Sequence, residues 1–251
     1  MTLTALPDFP MVEPGDNLLE QILLSLTRAG LSLQDNDVLV LAQKIVSKAE
    51  NRYGYLNQVS PSEEAIVLAQ QVDKDPRIIE LILSESNEVV RQRPGVVVVE
   101  HRLGYVHANA GIDKSNIESN PDNPRVLLLP LDSDKSAQQL RAQIKAQTGR
   151  STFVIINDSA GRAWRNGTVG MAIGTAGFEP LVDMVGDQDL FKKVLEVTEV
   201  AVADELAAAA SFLMGQAAEG CPVVLIRGAN LRSAETGSSS LIREKSKDLF
   251  R

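Results

Sequence analysis

The chain has 251 residues, enough for one large domain or two intimately packed ones, and 44% of them are hydrophobic, which supports a sizeable core. Its 25 basic and 33 acidic residues leave a net charge of −8 with no Lys/Arg block, a balance that disfavours nucleic acid. A single cysteine, Cys221, excludes an intrachain disulfide and a thiolate-rich zinc site. No apolar run approaches the ~20 residues needed to cross a bilayer, and Met1 to Pro14 lacks the features of a signal peptide, so the chain reads as soluble and cytoplasmic.

Gly15-Asp16 precedes Leu18, Leu19, Ile22, Leu23 and Leu26, the spacing of an amphipathic helix that Gly30 ends. Asp37 to Leu41 reads as a buried strand. Ser60-Pro61-Ser62-Glu63 fits a capping box with proline at the first helical position, launching a helix through Val67, Leu68 and Val72. A second helix is expected from Asp75 to about Ser86. Val89-Val90 and Val96 to Val99 are β-branched runs, and Leu103-Gly104 is a hairpin turn into Tyr105-Val106-His107. Val126 to Leu129 reads as a strand and Ser133 to Gln147 as a helix closed by Gly149. Thr152 to Ile156 is a strand expected to end at Asn157-Asp158. Residues 187–197 and 199–213 read as helices, and Pro222 to Ile226 as a last buried strand. The central strands follow one another without helices between them, which predicts an α+β fold rather than regular βαβ winding.

Five segments carry chemistry. Asn109 to Asn116 packs two amides, the Asp113 carboxylate and the Ser115 hydroxyl around Gly111, a loop suited to a hard cation such as Mg²⁺ or Mn²⁺. An Asx-type turn is the competing reading. Asn157-Asp158-Ser159 offers a second carboxylate at a strand end, where it either caps a turn or helps hold a metal against a nucleotide. In Arg162 to Gly177, glycines permit close backbone approach, Arg162 and Arg165 suit a carboxylate or phosphate, and Trp164 offers either a stacking face or a core anchor. Lys44 and Lys48 lie four apart, on one face of a helical turn, positioned for phosphates or simply solvated. Met214 to Pro222 is a glycine-bounded turn in which Gln216 is a ligand only if the fold brings it to the site. No Gly-Lys-Ser/Thr loop follows, no Ser/His/Asp set is marked by His101 or His107, and Cys221 has no basic neighbour to activate it. The residues by themselves describe a metal- and phosphate-handling α+β protein.

Gln43 to Glu50, Asn109 to Asn116, Gly161 to Gly177 and Leu213 to Gln216, in this order, resemble the F420-0:γ-glutamyl ligase family. Val197 to Glu205 and Val224 to Gly228 also fit, and the likeness runs from Pro7 to Phe250. The tail from Gly237 is similar to the bacterial branch, some members of which carry an added nitroreductase-like domain that this chain stops short of. The resemblance implies a GTP-dependent ligase that adds L-glutamate to coenzyme F420-0 through an acyl phosphate. It implies Mg²⁺ or Mn²⁺, with K⁺ as a further candidate cation, and an intertwined α+β homodimer with mixed and antiparallel sheets. It assigns Asp113, Asp158, Ser159 and Gln216 to metal. To GTP it assigns Pro7, Asp8, Phe9, Pro10, Gln43, Lys44, Lys48, Asn116, Met214, Gly215, Ala217 and Gly220. Asp113, Asp158, Arg162 and Arg165 are then the expected catalytic set, the arginines orienting anionic substrate groups. Ser159 replaces the family's usual threonine, and Asp8 and Asn51 stand where glycine is common. Two other readings fit the same residues: a ligase for a different carboxylate acceptor, and a non-catalytic GTP-binding relative.

Overall fold

The computed structural model describes residues 1–250. Its principal sheet is built from β1 (Thr2–Ala5), β2 (Val38–Ala42), β8 (Phe153–Arg162), β9 (Arg165–Ala176) and β12 (Val223–Arg227), in the spatial order β1-β12-β2-β8-β9. Only β2 and β8 are parallel; every other neighbour in this sheet is antiparallel. Val38 to Leu41 are wholly buried, as a strand covered on both faces requires.

One face of the sheet packs Leu39, Leu41, Val154 and Ile156 against Ile22 and Leu26 of α1 (Leu18–Arg28) and Leu140 and Ile144 of α5 (Ser133–Thr148). The other packs Val38, Val40 and Ile155 under the small side chains Ala203, Ala207 and Ala210 of α6 (Val202–Met214). A third cluster lies between α3 (Glu63–Val72), α4 (Pro76–Ser84) and two small sheets. One of these pairs β3 (Tyr53–Tyr55) with β7 (Arg125–Leu127). The other joins β4 (Ser86–Arg93), β5 (Val96–His101) and β6 (Val106–Ala108). The short helix α2 (Gln43–Ala49) follows β2 directly, and β10 (Val182–Asp183) pairs with β11 (Glu199–Val200). The architecture is α+β with mixed sheets, as expected. Among the described residues, no helix is long and apolar enough to cross a membrane.

Four expectations need correction. The helix at 63 is capped by Ser62, whose hydroxyl accepts from Ala65 N, and Pro61 lies outside it. Glu80 of α4 accepts from both the N–H and the hydroxyl of Ser62, so tertiary contact selects this serine over Ser60. Residues 187–197 are not helical but form an antiparallel arm, in which Gln188 bridges Val194 and the Asp189 side chain accepts from Phe191 N and Lys193 N. Aspartate bonding to its own backbone outcompetes a helix that has no core to receive its apolar face. Strand β8 does not end at Ile156 but runs on to Arg162. Gly170 and Gly174 therefore lie in β9, where their missing Cβ atoms admit Ala207 of α6 and Ser133 of α5 rather than a ligand. The register slips by one between Ile156↔Gly174 and Asn157↔Ala172, a bulge at Ile173 that turns these two glycines to opposite faces.

Asp8 and Asn51 both have left-handed backbones, with φ of 49° and 55°, a conformation that glycine adopts without strain. Asparagine tolerates this region better than alanine does. Asn51→Ala is expected to cost roughly 1 kcal/mol in denaturant melts, whereas Asn51→Gly should stay within about 0.5 kcal/mol of the parent.

Candidate functional site

The strand order brings four chain segments to one end of the principal sheet. Because β2 and β8 are parallel and in register at Ala42↔Asn157, α2 begins level with Asn157-Asp158. Strand β12 runs the opposite way, so the turn after α6 enters at this end, where Ala42 N donates to Pro222 O. Strand β1 also leaves here: Leu6 N donates to Val223 O before the chain turns into Pro7 to Pro10. The carboxyl ends of parallel strands are a recurrent place for ligands.

These segments enclose a cavity of about 580 Å³, within the range of small-molecule sites. Phe9, Pro10, Gln43, Lys44, Lys48, Asn116, Asp158, Ser159, Met214, Gly215, Gln216, Ala217 and Gly220 line it. Pro7 and Asp8, expected to contact the nucleotide, fall outside the lining, and the Asp8 carbonyl accepts from Arg28. The first turn of α2 lines the cavity without any side-chain cap, so its N–H groups are available to an anion. Gly215 has φ 74° and ψ −177°, a conformation essentially restricted to glycine, and sets the turn that carries Gln216 and Ala217.

Asp113 lies outside the lining but is tied to it. Lys44 Nζ sits 2.7 Å from Asp113 Oδ2 and 2.7 Å from Ser115 Oγ, and Asn116 Nδ2 donates to Ala217 O at 2.9 Å. The loop 109–116 is thereby fastened to two segments of the cavity wall. Burial raises the Asp113 carboxyl, but the Lys44 ammonium and the Ser115 N–H outweigh it and hold the group below its ordinary range. Burial also pulls the Lys48 amine down; Glu13 opposes this, while Lys44 and Arg125 reinforce it. A buried lysine near a second cation favours an anionic ligand.

Asp158 accepts from Ser159 N through Oδ1 at 2.8 Å, and its Oδ2 lies 3.0 Å from His107 Nε2. Burial lowers the His107 imidazole, and the Asp158 carboxylate outweighs burial and raises it above its usual value. Gln216 donates through Nε2 to Ser211 Oγ at 3.1 Å, so its carbonyl oxygen is the atom it has to offer a cation. Carboxylate, hydroxyl and amide oxygens are the donors a hard divalent cation takes. Among the described residues no three His, Cys, Asp or Glu side chains cluster as a closed cage. The set therefore fits a cation that completes its shell with phosphate and water rather than one held by protein alone.

Arg162 and Arg165 fall outside the cavity lining, at the exposed tip of the β8–β9 hairpin, with Arg162 donating to Gly167 O. Trp164 beside them is 86% exposed and has φ 63°, so it is no core anchor. Sequence reasoning passed over Ser211, which orients Gln216, and Glu219, whose carboxylate accepts from Ala217 N at 2.8 Å. It also set His107 aside. Helix and turn spacing give no sign of these contacts; the sequence singles out only the turn 214–222 as a whole.

A profile of the family described as F420-0:Gamma-glutamyl ligase matches residues 8–228. A Coenzyme F420:L-glutamate ligase of Methanothermobacter thermautotrophicus is 44% identical, covering 100% of this chain and 99% of that protein. The protein of the same name from Methanocaldococcus jannaschii is 43% identical over 92% of this chain and 91% of its own length. One from Archaeoglobus fulgidus is 39% identical over 96% and 93%. A family match over most of the chain, joined to full-length relatives at this identity, places the chain in the F420-0:γ-glutamyl ligase family.

Proposed function

We propose that this chain adds L-glutamate to coenzyme F420-0 through γ-glutamyl amide bonds, with GTP as phosphoryl donor and Mg²⁺ or Mn²⁺ as the divalent ion. The observation that carries this reading is the meeting of Lys44 and Lys48 with Asp158, Ser159 and Gln216 around one cavity, in a chain whose full-length relatives are named Coenzyme F420:L-glutamate ligase. Lys44, Lys48 and the open N-terminus of α2 grip the phosphates; Phe9, Pro10, Asn116 and the turn 214–220 enclose the rest of the nucleotide. Asp113, Asp158, Ser159 and Gln216 would hold the divalent ion, whose chemical contribution is to neutralise charge on the phosphates. Arg162 and Arg165 are assigned to the anionic groups of the acceptor.

The acceptor carboxylate attacks the γ-phosphorus of GTP, forming a C–O–P bond as the bond to GDP breaks. The glutamate amine then attacks the acyl carbon, orthophosphate departs with the carboxylate oxygen, and the surplus proton on nitrogen passes to the phosphate or to water. The chain's part is positioning and charge stabilisation, with no covalent enzyme intermediate. F420-0 labelled with ¹⁸O in its reacting carboxylate tests this route. One labelled oxygen in the released phosphate is expected, and phosphate free of label sinks the acyl phosphate.

The same reading includes a homodimer. The arm from β10 to β11 exposes Leu190 at 99%, Phe191 at 90% and Val197 at 86%. Apolar side chains in such a group mark a contact surface. Light scattering of the parent should give twice the chain mass. Leu190→Asp combined with Phe191→Asp should shift it to one chain mass, and an unchanged dimer would remove the arm from the interface.

A further inference from the structure

We infer that His107 is a positioning residue for Asp158, holding its carboxylate in the orientation that meets the divalent ion; this rests on the metal reading above. The imidazole stands on β6 with its side chain only 9% exposed. Its Nδ1 donates to Ala108 O at 3.2 Å, and its buried Nε2 lies at ion-pair distance, 3.0 Å, from Asp158 Oδ2 without the alignment of a hydrogen bond to any acceptor. A buried polar nitrogen facing only a carboxylate is costly unless the carboxylate answers it. Tyr105 meets the ring edge-on, with centroids 6.4 Å apart at 70°, and itself stacks on His101 at 4.9 Å. The ring is therefore fixed from behind.

Asp158 has a neighbour at each oxygen: Ser159 N donates to Oδ1, and the charged form of the His107 ring would pair with Oδ2, 3.0 Å away. Each oxygen keeps a further lone pair for the cavity that Asp158 lines. Partners of this kind orient ligand carboxylates, and their loss usually weakens metal binding by about 10- to 100-fold. His107→Leu removes the contact while keeping bulk, and His107→Gln restores a donor.

The test is Mn²⁺ affinity in the presence of GDP, read from the electron paramagnetic resonance of free Mn²⁺ well below each variant's melting temperature. His107→Leu is expected to weaken binding about 10- to 100-fold, His107→Gln to recover most of it, and Asp158→Asn to abolish it. Wild-type affinity in His107→Leu, or no rescue by glutamine, overturns the inference, because packing alone would then explain the ring. Spin-echo spectra of the unaltered protein supply a variant-free check, in which a nitrogen coupled directly to Mn²⁺ would make His107 a ligand instead. If Asp158→Asn binds Mn²⁺ normally while GDP still binds, the metal reading itself fails and the positioning role falls with it.

Discussion

Asp158→Asn is expected to lower kcat/KM for glutamyl transfer by about 10³-fold or more, with nucleotide still bound. The substitution preserves shape and the β8 ladder but removes the charge that lines the cavity beside Ser159. Neutralising phosphate charge is worth several kcal/mol in reactions of this class, and each 1.36 kcal/mol is a factor of about ten in rate. Steady-state rates at saturating Mn²⁺, set beside GDP titrations, separate loss of chemistry from loss of binding. A variant within about tenfold of the parent would remove Asp158 from the reacting centre. Asp113→Asn should behave similarly but also weaken GDP, because Asp113 fixes Lys44 at 2.7 Å.

The largest effect on stability is expected at Glu85, far from that chemistry. Its carboxylate, 10% exposed, takes Arg52 at 2.8 Å and Arg102 at 2.9 Å, with His101 Nε2 at 3.5 Å. These partners tie the start of β3, the end of α4 and the β5–β6 turn together. Burial raises the Glu85 carboxyl, yet the contacts with His101, Arg52 and Arg102 outweigh it and bring it down to about 2. A carboxyl depressed on folding adds stability that is full above its unfolded value near 4.5 and fades as pH falls toward 2. That span corresponds to roughly 3 kcal/mol. Glu85→Gln should therefore lose roughly this amount at pH 7, and the gap to the parent should close progressively between pH 4.5 and pH 2. A gap that does not change with pH would mean that shape, not charge, fills the site.

The principal sheet was legible where burial on both faces forces unbroken apolar runs, as in Val38 to Leu41 and Val223 to Ile226. Helix α5 was legible through its Gly149 stop, which takes φ 73°. Leu190, Phe191, Val194 and Val197 misled because helical spacing does not reveal whether a core awaits the apolar face. Strand β8 ran past its expected end because pairing with β9, not residue propensity, decides where the ladder stops. Most expected site residues line the cavity, since the motifs carry the chemistry in their residue types. What brings them together is the parallel pairing of β2 with β8 and the opposed run of β12, and these are contacts between segments remote in sequence. For the same reason Lys44 with Asp113, and His107 with Asp158, emerge only from the folded chain.

Mass spectrometry of F420-0 incubated with the purified protein, GTP, L-glutamate and Mn²⁺ tests the central claim most directly. Products heavier by whole glutamyl units, with one GDP and one orthophosphate formed per unit, are predicted. They should be absent when metal is withheld and in Asp158→Asn. Unchanged F420-0 in the presence of bound GTP and Mn²⁺ would contradict the ligase reading.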